Sequence, residues 1–355
     1  MQHLVNAIHP DLLHKIDPQF AEIYTKNQAP KLRADQVTYD EYNADRSRYT
    51  FSIAQGPNPE VGSVTVYEVK VHEPEGKIYV QVFVPTQEAV ERAGSRRSNG
   101  NLPAHVDYHG GGFVIGSLES DAPWCRQVCQ ALGCIILNVD YRMAPDFPHP
   151  VPIMDAWVAL KWTFAEAPSL GIDTSRVSVG GLSAGGNFAA VLALLARDEP
   201  GMPDLVLQLL IVPAVDARFI PIEGSCDPKV VPYESYVTCE NAPCLPLQRL
   251  RWFYNLWLGT DVEERKMKAN HFLASPILAT SHANLAPASI HIAEVDTLHS
   301  EGVAYHSALQ KAGTQSEIKV YPGMCHPFGH WDGELEMAKE FVRDTIAALK
   351  IAYRL

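Results

Sequence analysis

The sequence has no apolar run approaching the roughly 20 residues that a membrane-spanning helix needs, so no integral membrane segment is expected. Basic residues are in deficit: 29 Lys and Arg stand against 41 Asp and Glu, a net charge of −12. That excludes a nucleic-acid partner, because phosphate contacts need a basic face. Docking on anionic lipid is disfavoured for the same reason. The amino terminus, MQHLVNAIHPDLLHKIDPQF, lacks a basic start followed by an apolar stretch, and no signal peptide is expected. The seven cysteines (125, 129, 134, 226, 239, 244 and 325) form no CxxC pair and no zinc-ligand spacing. HExxH and P-loop patterns are absent as well. These gaps predict no metal and no cofactor, with the cysteines as buried free thiols in a cytoplasmic protein.

What is present is enough apolar residue, 46% of 355, to bury one large α/β core. Residues 1–55 read as polar-aromatic helical segments interrupted by Pro10, Pro18 and Pro30. Alternating runs at 64–71 and 77–84, joined by EPEG, predict an antiparallel hairpin. Residues 88–101, rich in Arg, Ser and Gly, read as an exposed loop. Short apolar runs then follow at 104–108, 135–141, 176–180, 207–212, 289–295 and 317–321. Helical patterns separate most of them, at about 120–132, 152–166, 184–198, 300–312 and 335–350. Such alternation predicts a mostly parallel sheet of eight strands with helices on both faces. The rhythm breaks between 220 and 245. There the stripe Leu247, Leu250, Phe253, Tyr254 and Trp257 falls on one face of a helix. Packing accounts for the stripe by itself, and a lid over a pocket would use the same face.

Two glycine-rich turns carry the chemistry. In RVSVGGLSAGGNFAAVLALLARD, Ser183 joins a strand to a helix within GxSxG, a sharp turn that lifts its hydroxyl above the sheet edge. Glycines two residues before and after are expected because side chains there would collide with the neighbours of the turn. In HGGG (109–112), directly after a strand, three successive glycines cost chain entropy and suit a backbone that must approach a ligand. Gly111 and Gly112, with Ala184 at the start of the helix after Ser183, are candidate oxyanion donors. A serine hydroxyl needs a histidine to take its proton, and the histidine needs a carboxylate to hold its tautomer. Asp296 and His326, each after an apolar run, stand in the required chain order. Glu294, His299, His306 and His330 are rivals by proximity alone.

The set HGGGF (109–113), VDYRMAPDFPHP (139–150), GLSAGG (181–186), ASP (274–276), AEVDTLHSEG (293–302) and PGMCHPF (322–328) resembles the hormone-sensitive-lipase-like family of carboxylesterases. That resemblance implies the α/β-hydrolase fold, with a catalytic domain at 56–219 plus 266–355. It also implies a helical cap made of 1–55 plus 220–265. Aromatics expected to close the pocket are Phe20, Tyr24, Trp252, Phe253, Tyr254 and Trp257. The implied partner is a small-molecule ester of short to medium acyl length, and a homodimer is one option for assembly. An amidase, a lactonase or an acyltransferase would use the same triad, and a non-catalytic receptor of the same fold would lack part of it. Two positions depart from the family's usual pattern, Leu182 before the nucleophile and Pro327 after the histidine.

Overall fold

The structure, a computed structural model, describes residues 4–49, 55–97 and 99–355. Eight strands form one sheet: β1 Ser63–His72, β2 Glu75–Val84, β3 Leu102–Tyr108, β4 Ile135–Asp140, β5 Ile172–Leu182, β6 Leu207–Ile211, β7 Ala288–Val295 and β8 Ser316–Cys325. Their order is β1-β2-β4-β3-β5-β6-β7-β8. β1 and β2 pair as the expected hairpin, β2 meets β4 antiparallel, and every later pairing is parallel.

Side chains on a strand alternate between faces, and the sheet uses both. Leu137, Leu210 and Ile292 join one apolar cluster, with helices Val151–Ala165, Ala184–Asp198 and His299–Lys311. Their neighbours Ile136, Leu209 and Ala293 join the other, with helices Ala122–Leu132 and Glu336–Tyr353. Every residue of β3 is buried, as a central strand covered on both faces should be.

The reading of 88–101 as a loop is corrected over 88–93. Gln87–Ala93 is a helix, capped at its start by Thr86 Oγ1, which accepts from Ala89 N–H at 3.2 Å, and ended by Gly94 in the left-handed region. Its residues, QEAVERA, are good helix formers, and Ala89 and Val90 are buried beneath a polar outer face. The chain leaves helical geometry at Gly94.

Pro10 and Pro18 do not interrupt helices. They sit in the first turns of Pro10–Leu13 and Pro18–Asn27, where a missing N–H removes nothing. Asp17 caps the second of these, accepting from Gln19 and Phe20 N–H. Among the described residues up to 49 there are helical turns and no strand. This region packs against the segment between β6 and β7. Trp252 meets Tyr42 edge-on at 6.1 Å, and the Arg249 guanidinium lies 3.9 Å from Asp35.

Candidate active site

The parallel strands point their carboxyl ends at one side of the sheet, where a doubly covered α/β sheet leaves a crevice for ligands. HGGG leaves β3 there, Ser183 follows β5, Asp296 follows β7 and His326 follows β8. Ser183 holds φ 59° and ψ −110°, a strained combination for a residue with a side chain. Its N–H donates to Ile211 O at 2.8 Å, and its carbonyl accepts from Asn187 N–H at 3.0 Å, so both sides of the turn are tied. The flanking glycines are required by space. A Cβ would lie 2.2 Å from Tyr108 O at Gly181 and 1.7 Å from the same oxygen at Gly185.

The carboxylate and the imidazole meet. His326 Nδ1 and Asp296 Oδ2 are 2.9 Å apart, and Asp296 Oδ1 accepts Leu298 N–H at 3.0 Å. Both residues are almost fully buried. The loop after Asp296 is anchored to the inserted segment, since Thr297 Oγ1 donates to Leu245 O at 2.8 Å and Ser235 Oγ to Thr297 O at 2.7 Å.

Ser183 and His326 share the wall of one cavity of about 370 Å³, together with Gly110, Gly111 and Gly112. Gly111 and Gly112 have φ of 118° and 60°, and neither position has room for a side chain. A Cβ on Gly111 would stand 1.9 Å from Ile115 O, and one on Gly112 would stand 2.3 Å from the Phe253 ring. The loop is braced from below, where His109 stacks on Tyr141 at 4.3 Å and the Tyr141 hydroxyl donates to His109 O at 2.9 Å. Ala184 is buried as the first residue of helix Ala184–Asp198. Its N–H is among those that a helix start leaves without an intrahelical partner.

The rivals are engaged elsewhere. Glu294 is exposed and accepts Gly323 N–H at 2.7 Å, while His299 and His306 bond Ala293 O and Ser316 Oγ. His330 differs: it lies on the cavity wall and pairs through Nε2 with Asp121 at 2.6 Å. Burial alone would lower its pKa, but Asp121, with Asp332 and Asp107 nearby, outweighs that and raises it.

The expected ring of cap aromatics is largely corrected. Of the six, only Phe253 lines the cavity. Phe20 stacks on Trp331 at 4.7 Å, Trp257 on Phe113 at 3.6 Å, and the Tyr24 hydroxyl donates to Asn6 O, so these rings serve packing. Tyr42, Tyr49, Arg46 and Arg249 stand on the wall instead. Nothing in the local pattern around these four marks them, because what brings them to the site is the docking of two segments distant in sequence. The departures from the family pattern, Leu182 and Pro327, both line the cavity. All seven cysteines are buried free thiols, as expected. Among the described residues no helix is long and apolar enough to cross a membrane.

Comparison with known proteins agrees with this fold. Residues 105–330 match a family described as having the α/β-hydrolase fold. An AB hydrolase superfamily protein of Schizosaccharomyces pombe is 32% identical over 96% of this chain and 94% of its own. The carboxylesterase NlhH of Mycobacterium tuberculosis is 36% identical over 71% of this chain and 74% of its own. Among solved structures, a hyperthermophilic esterase from the archaeon Pyrobaculum calidifontis superposes with a TM-score of 0.70 at 31% identity, covering 82% of this chain and 87% of that one. The strained Ser183 turn, a glycine loop and a His–carboxylate pair thus meet at one end of the sheet, and the chain belongs to the α/β-hydrolase-fold family, in its hormone-sensitive-lipase-like branch of carboxylesterase-type hydrolases.

Proposed function

We propose that this chain cleaves carboxylic esters of short to medium acyl length, with Ser183 as nucleophile, His326 as general base and acid, and Asp296 as the carboxylate that orients it. The observation that carries the proposal is the cavity shared by the strained Ser183 turn and by His326, whose Nδ1 is bonded to Asp296. With Nδ1 committed, Nε2 is the nitrogen left to take the hydroxyl proton. Ser183 Oγ then attacks the ester carbonyl carbon, and the carbonyl oxygen becomes an oxyanion. Backbone N–H groups of Gly111, Gly112 and Ala184 are the donors we assign to it. Collapse of the tetrahedral adduct breaks the bond to the alcohol oxygen, which receives the proton from His326 and leaves. Water repeats the sequence on the acyl-Ser183 ester, releasing the acid and restoring the hydroxyl.

The cavity volume supports the size limit. About 370 Å³ is near the small end of ligand pockets. Each buried CH₂ gains about 0.8 kcal/mol only until the space is full. We assign the cover over this space to residues 1–55 and 220–265, which supply Tyr42, Tyr49 and Phe253 to its wall.

Ser183→Ala should reduce hydrolysis of p-nitrophenyl butyrate by at least about a thousandfold. A fluorophosphonate should label the wild type at Ser183 and leave the variant unlabelled. Full activity in Ser183→Ala, or fastest turnover on palmitoyl esters, would contradict the proposal.

A further inference from the structure

A buried tyrosine ordinarily gives its hydroxyl to a protein acceptor. Tyr108 donates to Ala156 O at 3.1 Å, Tyr141 to His109 O at 2.9 Å and Tyr233 to Asp216 at 2.6 Å. Tyr42 and Tyr49 depart from this. They are 4% and 5% exposed, both line the cavity of Ser183, and neither hydroxyl has a hydrogen-bond partner among the described residues. Tyr254 and Tyr305 also lack one, but they stand away from the cavity wall. We propose that Tyr42 and Tyr49 select esters that carry a further acceptor oxygen, a keto or ether group away from the scissile bond, over hydrocarbon esters of the same shape. This inference rests on the ester-hydrolase reading and names the class of ester.

The other polar side chains of the wall are engaged. Ser120 Oγ accepts from Ser117 N–H at 3.0 Å, and Ser117 Oγ from Glu119 N–H at 3.3 Å. His330 is held by Asp121 at 2.6 Å and His326 by Asp296 at 2.9 Å. Arg46 donates to Asn43 Oδ1, while Arg249 donates to Cys244 O and lies 3.9 Å from Asp35. Ser183 is the nucleophile, and the Cys244 thiol is a weak donor. By contrast, the contacts of Tyr42 and Tyr49 fall on their rings. Tyr42 meets Tyr39 at 6.1 Å, Tyr49 at 6.2 Å and Trp252 edge-on at 6.1 Å, with the Arg46 guanidinium 5.7 Å from its centre. The Arg48 guanidinium lies 5.8 Å from the centre of the Tyr49 ring. This packing fixes both phenols and leaves their hydroxyls uncommitted. Burial raises the pKa of Tyr42, so its hydroxyl keeps its proton and can donate near neutral pH.

An entering substrate strips water from the wall. Hydrocarbon set against a phenolic hydroxyl leaves that donor dry and unpaired, whereas an acceptor oxygen at the same place restores the bond. A wall built this way discriminates by the missing oxygen more strongly than an apolar wall does by one methylene. Both phenols come from one short stretch, helix Tyr39–Ala44 and the turn Arg46–Tyr49, which contains none of the three groups assigned to the chemistry. Selection is therefore separable from bond cleavage.

The test compares matched neutral esters on the full-length protein, so that substrate charge does not enter. One arm sets p-nitrophenyl 4-oxopentanoate against p-nitrophenyl 4-methylpentanoate, placing the oxygen on the acyl side. The other sets 2-methoxyethyl acetate against butyl acetate, placing it on the alcohol side. In at least one arm the oxygenated-to-hydrocarbon ratio of kcat/KM, corrected for uncatalysed reactivity, should exceed about 10 in the wild type. Tyr42→Phe and Tyr49→Phe together should lower that ratio at least about fivefold, and one of them alone at least about twofold. The fall should come from slower turnover of the oxygenated ester and faster turnover of the hydrocarbon one, because the wall has become apolar there. A merely structural role would slow both esters of a pair alike and keep the ratio. If hydrocarbon esters are hydrolysed but neither wild-type ratio reaches that mark, or the phenylalanine variants keep it, this inference is overturned and the ester-hydrolase reading stands. If no ester of the four is hydrolysed, both fall together.

Discussion

Ser183 occupies a backbone conformation that a side-chain-bearing residue adopts only when its surroundings leave no alternative. Those surroundings are the carbonyls of Ile211 and Tyr108 and the first turn of helix Ala184–Asp198. The two glycines of GxSxG were legible as a space requirement, and the structure supplies the obstacle, a single backbone oxygen, Tyr108 O. Gly185→Ala would drive a methyl to 1.7 Å from that oxygen, and backbone in a central strand cannot retreat. The expected cost is about 3 kcal/mol or more, above ordinary overpacking. Thermal unfolding should show a Tm several degrees lower and esterase activity near background. A variant with wild-type Tm and activity would mean that the turn tolerates a side chain there. At this scale Ser183, Asp296 and His326 could be singled out because each lies in a local motif. Arg46 and Arg249 could not, since an arginine in a polar segment looks like solvated surface until its neighbours are known.

Among the elements, helix Pro18–Asn27 shows how an aromatic residue can matter to a site it does not line. Phe20 is fully buried and stacks on Trp331, five residues beyond His326. Asp17 N–H donates to Gly323 O at 3.0 Å, and Gln19 Nε2 donates to Glu334 O at 2.9 Å, so the helix backs both ends of the loop that carries the imidazole. Phe20→Ala should cost about 3–5 kcal/mol if the cavity left behind does not collapse. It should also lower kcat more than it changes KM, because it loosens a positioning element rather than a binding wall. Amide exchange over 322–335 would then be faster than in the wild type. Unchanged exchange in that segment would show the stacking to be dispensable. Sequence periodicity identified the helix at Leu247–Leu258 and its apolar face, but which ring on that face meets substrate is set by the partners on the other side. Trp257 has Phe113 and Tyr254 around it, while Phe253 has the glycine loop, Arg249 and open space. The misread segment 88–101 failed for a related reason. Its polarity is that of one exposed helix face, and the burial of Ala89 and Val90 is decided by what they pack against.

For the molecule as a whole, buried histidines tie stability to pH. His105 on β3 bonds Ser178 Oγ on β5 at 2.8 Å, and Ser178 in turn meets the Tyr353 hydroxyl of the last helix. Burial lowers the pKa of His105 to about 3 and that of His291 to about 4. The unfolded chain takes up these protons near the ordinary value of about 6.5. Below that pH the unfolded state therefore binds more protons than the native one, and stability falls as pH falls toward the native values. Each such histidine removes up to about 1.4 kcal/mol per pH unit across its window. The buried carboxyls of Asp107 and Glu301, raised by burial, act in the opposite sense, favouring the native state at low pH. A difference measurement removes the contribution of Glu301, while Asp107, whose Oδ1 lies 3.7 Å from His105 Nε2, stays in the comparison. Between pH 6.5 and 4, His105→Asn should lose denaturation free energy less steeply than the wild type. Parallel curves for the two proteins would show that His105 does not carry this dependence.

The sequence alone determined the order of the eight strands and of most helices between them, the sharp turn at Ser183, the glycine loop at 109–112 and the candidacy of Asp296 and His326. These features arise from short-range rules: alternation along a strand, the 3.6-residue helical repeat, and glycine where no side chain fits. Only the tertiary structure decided that Asp296 and His326 lie within 2.9 Å, that Tyr42 and Phe253 rather than Phe20 and Trp257 face the cavity, and that Arg46 and Arg249 stand on its wall. Each of these depends on which distant segments pack together, and a pattern confined to neighbouring residues holds no record of that.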